Sequence, residues 1–433
     1  MQFLIMKKNN QIYNFAKKII HYPRSLSGRG TRETLKEVKK IIPNLKIKSF
    51  KSGKKVFDWK IPLEWEVKNA YIITPDGKKI CNYKNNRLHL VGYSSPIKKV
   101  LSKKKIIKKL YSLPNLKTAI PYITSYYKKD WGFCISHQKK EALKDGDYKV
   151  IIDSKFKKGF INYGELFIKG RTKKEILFST YICHPEMANN ETSGISVLTY
   201  LAKWIKSKSR KFSYRIIFIP ETIGSIAYIE KNLKRLKKNL IAGLVVTCVG
   251  DAKNFSYIPS RYGDTLSDFA ALNVLKKNRR KFKIYSWLDR GSDERQFCAP
   301  NINLPFCSIT KSKYGTYKEY HTSLDKLGSV VVSKGLNESY SLFKNYVKYF
   351  EDNYDNRFFV PKNNCYCEPH LSKRKLYPTI STIRTASKVK SMMNVLSYVD
   401  GKNSVMQIAN LCHLSIIDVK KYLDIFKKNK LIK

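Results

Sequence analysis

The stretch Lys174–Lys206, KEILFSTYICHPEMANNETSGISVLTYLAKWIK, decides how the chain is read. Its first part, KEILFSTYI (174–182), is a mostly apolar run with β-branched and aromatic members, the pattern of a buried strand. Its last part, SGISVLTYLAKWIK (193–206), changes to the spacing of an amphipathic helix. Between them, CHPEMANNETSG (183–194) sets His184, Glu186, Asn190 and Glu191 at the carboxyl end of the strand. In open α/β sheets, that edge is where ligands and chemistry gather.

The alternation repeats downstream. YRIIFIP (214–220) reads as a strand followed by a helix around 222–236, and LIAGLVVTCV (240–249) and LPFCSI (304–309) complete the strand set. This order predicts an α/β domain with a largely parallel sheet covered by helices on both faces. Upstream, residues 10–22 and 31–42 read as helices, the second with Thr31 as N-cap and Glu33 in its first turn. The loop between them, YPRSLSGRG (22–30), carries Arg24 and Arg29. From about 55 to 95 the pattern alternates apolar and polar residues around a Pro75-Asp76-Gly77 turn, a hairpin signature. With a helix around 104–112 and a strand at DYKVIIDSKF (147–156), residues 52–150 are expected to form a small β-rich domain. It would interrupt an α/β domain made of 1–51 and 151–345.

Past 345 the chain is loop-like, with a linker at NRFFVPKNNCYCEPH (356–370), and then helical. Helices are expected at 389–398, 407–414 and 415–433, with the turn at His413-Leu414 and the last helix opening at Ser415. That spacing is a helix-turn-helix, and residues 346–433 are expected to hold a linker and a winged-helix domain with a missing or minimal wing. Such a module docks on DNA or on a protein.

Composition bounds the function classes. Of 433 residues, 42% are hydrophobic and 13% aromatic, which is globular rather than disordered. The 85 Lys and Arg against 33 Asp and Glu give a net charge of +52. Because the lysines are spread along the whole chain, this excess alone does not single out a polyanionic partner. No apolar run reaches the roughly 18–20 residues that cross a bilayer. The start, MQFLIMKKNNQIYNFAKKII, has its apolar cluster before its lysines, the reverse of a signal peptide. Nine scattered cysteines, mostly in apolar surroundings, predict reduced thiols and a cytoplasmic location. Cys365-Tyr366-Cys367 with His370 has no second ligand pair at zinc-finger spacing.

Polar groups also end the other strands: Glu221-Thr222-Ile223-Gly224-Ser225, Gly250-Asp251, Gly291-Ser292-Asp293-Glu294-Arg295 and Tyr320-His321-Thr322-Ser323-Leu324-Asp325. A single His at a strand end is commonly a structural hydrogen-bonder. Two His with Glu and Asp along one edge are the ligand chemistry of a catalytic zinc, and a nearby Glu outside the coordination shell can take a proton from water.

His184-Pro185, Ala188-Asn-Asn-Glu-Thr-Ser-Gly194, Pro220-Glu-Thr-Ile-Gly-Ser225, Ser292-Asp-Glu-Arg295 and Tyr320-His-Thr-Ser-Leu-Asp325 resemble, in this order, the motifs of zinc-dependent exopeptidases. More closely, the chain resembles bacterial aminopeptidase-like proteins of unassigned function, which carry an inserted small β domain and a C-terminal winged helix and are often associated with polysaccharide biosynthesis. The resemblance covers nearly the whole chain. It implies a phosphorylase/hydrolase-like α/β/α sandwich. It also implies His184 and His321 as metal ligands, and two catalytic residues, Glu221 as general base and Asp293 as the Asp of the Ser-Asp motif. The departures are Asn190 for the bridging Asp, Thr222 for the second Glu, and Thr247 for a later ligand Asp. Two zinc ions need a bridging carboxylate to screen their repulsion, so a single zinc on His184, Asn190 and His321 is expected, with Asp251 or Glu191 as substitute ligands. Arg290 and Arg295 are candidate holders of a substrate carboxylate.

Two functions follow. One is a metal-dependent, aminopeptidase-like hydrolase of an amide or peptide bond in a small substrate. The other is a non-catalytic scaffold or regulator on the same fold, using the winged helix to bind DNA or a protein.

Overall fold

A computed structural model of the chain describes residues 10–278, 281–354, 360–365, 367–376 and 383–432, and divides into two compact units between Tyr346 and Val347. Residues 1–9, which hold the N-terminal apolar cluster, and part of the 356–370 linker lie outside the described residues.

The first unit opens with helices α1 (Gln11–Ile19) and α2 (Arg29–Ile41). The expected cap of the second helix, Thr31, is already inside it; Gly28 caps it instead, at φ +93°, where glycine is favoured. A Cβ on Gly28 would also meet the Trp65 carbonyl oxygen at 2.7 Å. Thr31 donates its hydroxyl to the Ser25 carbonyl at 2.6 Å, satisfying a buried acceptor in the preceding loop.

After β1 (Lys46–Lys51), the strands β2 (Glu64–Ile73), β3 (Lys79–Ile80), β4 (Ile97–Ser102) and β5 (Asp147–Lys157) make an antiparallel sheet in the order β3-β2-β5-β4. The expected helix around 104–112 is present but shorter, a five-residue helix at Lys103–Ile107 followed by a strand at Leu110–Tyr111. The expected boundary at 150 falls inside β5, which pairs with β2 from Ile73↔Lys149 to Glu64↔Lys157. Only at β6 (Phe160–Ile168) does the chain return to the large sheet. The β-rich segment shares its core with the rest of the unit: Ile72, Val150 and Ile152 belong to one hydrophobic cluster with Ile217, Ile219, Ile226 and Ile229.

From β6 onward the chain runs through β7 (Glu175–Tyr181), α3 (Ser193–Lys206), β8 (Ser213–Ile219), α4 (Ile223–Asn239) and β9 (Leu240–Val245). It continues with β10 (Ser256–Ile258), α5 (Leu266–Lys277), β11 (Lys283–Ile284), β12 (Phe306–Thr310) and α6 (Ser333–Asp352). The eight-stranded sheet has the order β1-β6-β8-β7-β9-β12-β10-β11, with its four central strands, β8 to β12, parallel. Every residue of β7, β8 and β9 is buried, which is why their sequences read as near-continuous apolar runs. Side-chain alternation divides the two faces. Leu177, Tyr181, Ile217, Ile219 and Val245 join the cluster that includes α4, while Phe178 meets Tyr346 of α6 edge-on at 5.8 Å. The expected α/β arrangement with helices on both faces is therefore present.

One close approach positions the site. α3 begins so near the sheet that a Cβ on Gly194 would lie 2.4 Å from the Val246 carbonyl oxygen and 2.6 Å from Thr180 Oγ1. The turn before it, Ala188–Thr192, is a wide π-type turn, a form often found at functional sites.

The second unit is built on α7 (Ile383–Ser397), α8 (Val405–Leu411) and α9 (Ile416–Lys428). Ser404 caps α8 in a reciprocal box with Gln407. As read from the sequence, Ser415 opens the last helix, accepting from Asp418 N at 3.1 Å, and His413, at φ +54°, makes the turn before it. Val395, Ile408, Val419, Leu423 and Phe426 form the core of this unit. The bridges Lys362↔Asp400 and Asn363↔Ile432 add a small amount of β pairing. Cys365 packs against the core and Cys367 is exposed, and neither joins a group of converging metal-ligand atoms among the described residues.

Candidate functional site

His184 stands three residues past the carboxyl end of β7 and is buried. Its Nδ1 lies 2.9 Å from Glu191 Oε2, so the proton belongs on Nδ1 and the lone pair on Nε2, which faces Glu221 Oε2 at 3.7 Å. Glu191 Oε2 also accepts the backbone N–H of Cys183 at 2.7 Å and of His184 at 2.6 Å, while Oε1 accepts Arg24 Nε at 2.7 Å. The Arg24 and Glu191 side chains are both fully buried. Arg24 further donates to the His184 carbonyl at 3.0 Å, to Thr192 Oγ1 at 2.9 Å and to the Ile19 carbonyl. Burial pushes the His184 imidazole down, but its bond to Glu191 and the charges of Glu191 and Glu221 outweigh this and raise it.

Glu191 was a candidate substitute ligand, and the structure gives it another task. With its oxygens committed to Arg24, two backbone amides and the imidazole, it orients His184. Asp251, the other candidate, is likewise consumed: it accepts from Lys253 N at 2.8 Å, Asn189 Nδ2 at 3.0 Å and Ser312 N at 2.9 Å.

His321 arrives from the far end of the first unit and meets His184, ring centroids 5.4 Å apart. Tyr122 of the β-rich segment touches both imidazoles, at 5.0 and 5.2 Å, and its backbone N–H holds the His321 carbonyl at 2.8 Å. Tyr320 stacks on His321 at 3.9 Å. Burial, and then the neighbouring His184, push His321 down to about 3, so at neutral pH its ring is uncharged and has a lone pair to offer.

Glu221 and Thr222 follow β8. Thr222 takes φ +63°, a strained conformation for a β-branched residue, and Asp293 fixes it by accepting Thr222 N at 2.8 Å and Ser225 Oγ at 2.6 Å. Asp293 is fully buried and its carboxyl is pushed up to about 7 by burial and by Glu221. It caps the start of α4 and does not line the cavity described below. The Glu221 carboxyl is also raised, chiefly by burial. Cys183, which the sequence reading did not single out, accepts Glu221 N on its sulfur at 3.2 Å; burial holds its thiol far above the usual range, so it is a hydrogen-bonding partner and not a thiolate.

Asn190 is buried between Tyr181, Thr247 and Asp325. Thr247 Oγ1 lies 2.5 Å from the Asn190 carbonyl, which only accepts, so the threonine proton goes there and the Tyr181 hydroxyl, 2.6 Å away, gives its own proton to Thr247. Tyr181 then accepts Asn190 Nδ2 at 2.8 Å. This fixes the amide, and Asn190 Oδ1 is left buried with no hydrogen-bond donor. Asp325 receives the backbone N–H groups of Asn189 at 2.7 Å and Asn190 at 3.0 Å, and so orients this turn.

His184, Glu221 and His321 line one cavity of about 430 Å³ together with Cys183, Thr222 and Arg295. Its wall includes Trp59, Tyr122, Tyr126 and Tyr127 from the β-rich segment. Arg290 is not among the lining residues. Larger cavities, such as one of about 540 Å³ beside Arg29 and Trp65, do not contain the paired imidazoles.

A family model described as a domain of unknown function, DUF4910, matches residues 13–353, and a winged helix-turn-helix model matches residues 359–433. The chain belongs to the DUF4910 family. A Clostridium acetobutylicum protein described as "Putative polysaccharide biosynthesis protein with aminopeptidase-like domain" is 39% identical over 424 residues, covering 98% of this chain and 96% of its own. The crystal structure of a "putative peptidase" from Clostridium acetobutylicum has a TM-score of 0.81 at 38% identity, covering 99% of this chain and 96% of its own. BSAP, a zinc aminopeptidase from Bacillus subtilis, has a TM-score of 0.59 at 14% identity, covering 79% of this chain and 95% of its own. That last likeness concerns the fold alone. The aminopeptidase-like α/β fold and the terminal winged helix expected from the sequence are thus found.

Proposed function

We propose that the first unit is a metal-dependent hydrolase of an amide or peptide bond in a small substrate. The observation that carries this reading is the meeting of the His184 and His321 rings, 5.4 Å apart, beside Glu221. The residues fit a single zinc. The neutral His321 ring offers a nitrogen lone pair, His184 Nε2 would offer a second once a bound cation displaces its proton, and Asn190 Oδ1 is a buried acceptor that no donor satisfies, the condition a cation would relieve. Zinc held there supplies Lewis acidity toward a carbonyl oxygen.

The chain's own groups do the rest. Glu191, held by Arg24, keeps the His184 lone pair turned to the cavity, a support that metal-binding imidazoles usually have. Glu221 accepts the proton of the attacking water at its Oε2 and returns it to the departing nitrogen. Asp293 holds the Glu221-Thr222 turn in place. Tyr122 and Tyr126, whose hydroxyls lie 3.1 Å apart, exclude bulk water from the imidazole pair. With Asn190 and Thr247 where carboxylates would bridge or bind a second ion, one metal is the supported count.

The description of the Clostridium relative supports a place for the substrate in polysaccharide biosynthesis, and the second unit supports a DNA or protein partner. All nine thiols are free, in keeping with a reducing cytoplasmic location. No helix among the described residues is long and apolar enough to cross a membrane. The three neutral replacements, Asn190, Thr222 and Thr247, favour the scaffold alternative, and one assay separates the two. Zinc-loaded full-length protein is expected to release amine from a panel of aminoacyl and N-acyl amides, to stop on addition of chelator, and to recover with zinc. A zinc-bound protein that releases nothing across the panel would leave the scaffold reading.

A further inference from the structure

In a chain with 85 Lys and Arg residues, the cavity that holds His184, Glu221 and His321 is lined by one cation, Arg295. Its side chain is exposed and, among the described residues, lies within 4.0 Å of no carboxylate. Its one side-chain hydrogen bond runs from Nη2 to Thr222 Oγ1 at 2.9 Å, which holds the guanidinium one residue from Glu221. The start of α4 beside it needs no help, because Asp293 already caps Thr222 N and Ser225 Oγ. Arg295 lowers Glu221 and Asp293 through space without pairing with either. Around it the wall is aromatic and apolar, with Trp59, Tyr126, Tyr127 and Leu26.

A guanidinium anchored at one nitrogen keeps other N–H groups free as a planar fork, the match for a carboxylate. One guanidinium, in a cavity that also holds the Glu221 carboxyl, suits a monoanion better than a phosphate dianion. We infer that Arg295 is a substrate anchor, and that this cavity takes a molecule with a free carboxylate next to an apolar group in preference to the corresponding neutral amide. The inference rests on the hydrolytic reading for its meaning as substrate selection, but the contact itself is testable without turnover.

The probes are N-acetylphenylalanine and N-acetylphenylalaninamide, titrated calorimetrically into chelator-treated, metal-free full-length protein, so that neither hydrolysis nor carboxylate binding to zinc contributes. The carboxylate is expected to bind roughly tenfold or more tighter, as a charge-assisted hydrogen bond implies. The preference is expected to shrink to within about twofold in Arg295→Gln and to persist in part in Arg295→Lys, because a lysine keeps the charge and loses the fork. Equal affinities in the wild-type protein, no saturable carboxylate binding up to millimolar concentration, or a preference undiminished in Arg295→Gln would each overturn the inference. Failure of hydrolysis in the amine-release assay leaves this result standing, so the two outcomes are separable.

Discussion

Glu221→Gln is expected to lower amide hydrolysis by about 10²–10⁴-fold, the usual contribution of a positioned general base. The substitution keeps the shape of the side chain and removes its ability to take a proton. Glu221 faces His184 Nε2 at 3.7 Å, and its backbone N–H is engaged by the Cys183 sulfur, so the loop geometry does not depend on the carboxylate. The variant should therefore melt like the wild-type protein and bind zinc as well, with the loss confined to kcat. Steady-state kinetics beside a metal analysis of the same sample checks this. A variant within a few-fold of wild-type kcat would remove Glu221 from the role of base.

The second large effect concerns stability. Arg24→Met should destabilise the first unit by about 3–5 kcal/mol, because removing one partner of a fully desolvated pair leaves the other charge buried alone. Glu191 would lose its Arg24 bond at 2.7 Å while its side chain stays fully inaccessible to water. The Ile19 and His184 carbonyls would lose a donor as well. Adding Glu191→Gln to Arg24→Met should recover part of the loss, since the orphaned charge is then absent. Urea unfolding of the wild-type protein, both single variants and the double variant gives the coupling directly. An Arg24→Met loss under about 1 kcal/mol would mean that the pair is solvated in solution.

The contrast between Glu221 and Arg24 shows how much the sequence disclosed. The central strands were legible because burial on both faces leaves continuous apolar runs, as in EILFSTY and SYRIIFI. The site was legible in part because β strands of a parallel sheet end on one edge, so His184 and Glu221 fall together by topology alone. His321 was placed by its motif, since no local pattern tells where a loop residue 137 positions from His184 will settle.

What remained hidden was long-range or irregular. Arg24 lies 167 residues from Glu191, and nothing in YPRSLSGRG marks that arginine as buried. β1, KIKSFK, has the lysines of an edge strand and so lacks an apolar signature. The strand DYKVIIDSKF was legible to 156, but the boundary at 150 cut through it because its pairing with β2, which keeps its whole length in the small sheet, is a long-range contact that no local pattern shows. Glu191 and Asp251 are acidic residues of the right kind near the right place. Only their hydrogen-bond partners show that both are already spoken for.

The account stands on the proposal that the paired rings of His184 and His321, beside Glu221, hold a metal. Crystals of the full-length chain grown with zinc, measured above and below the zinc absorption edge, test it most directly. The expected result is one anomalous peak in the cavity, about 2.0–2.1 Å from His184 Nε2 and from a ring nitrogen of His321. A map with no zinc between these rings, or with zinc bound only elsewhere on the molecule, would contradict it.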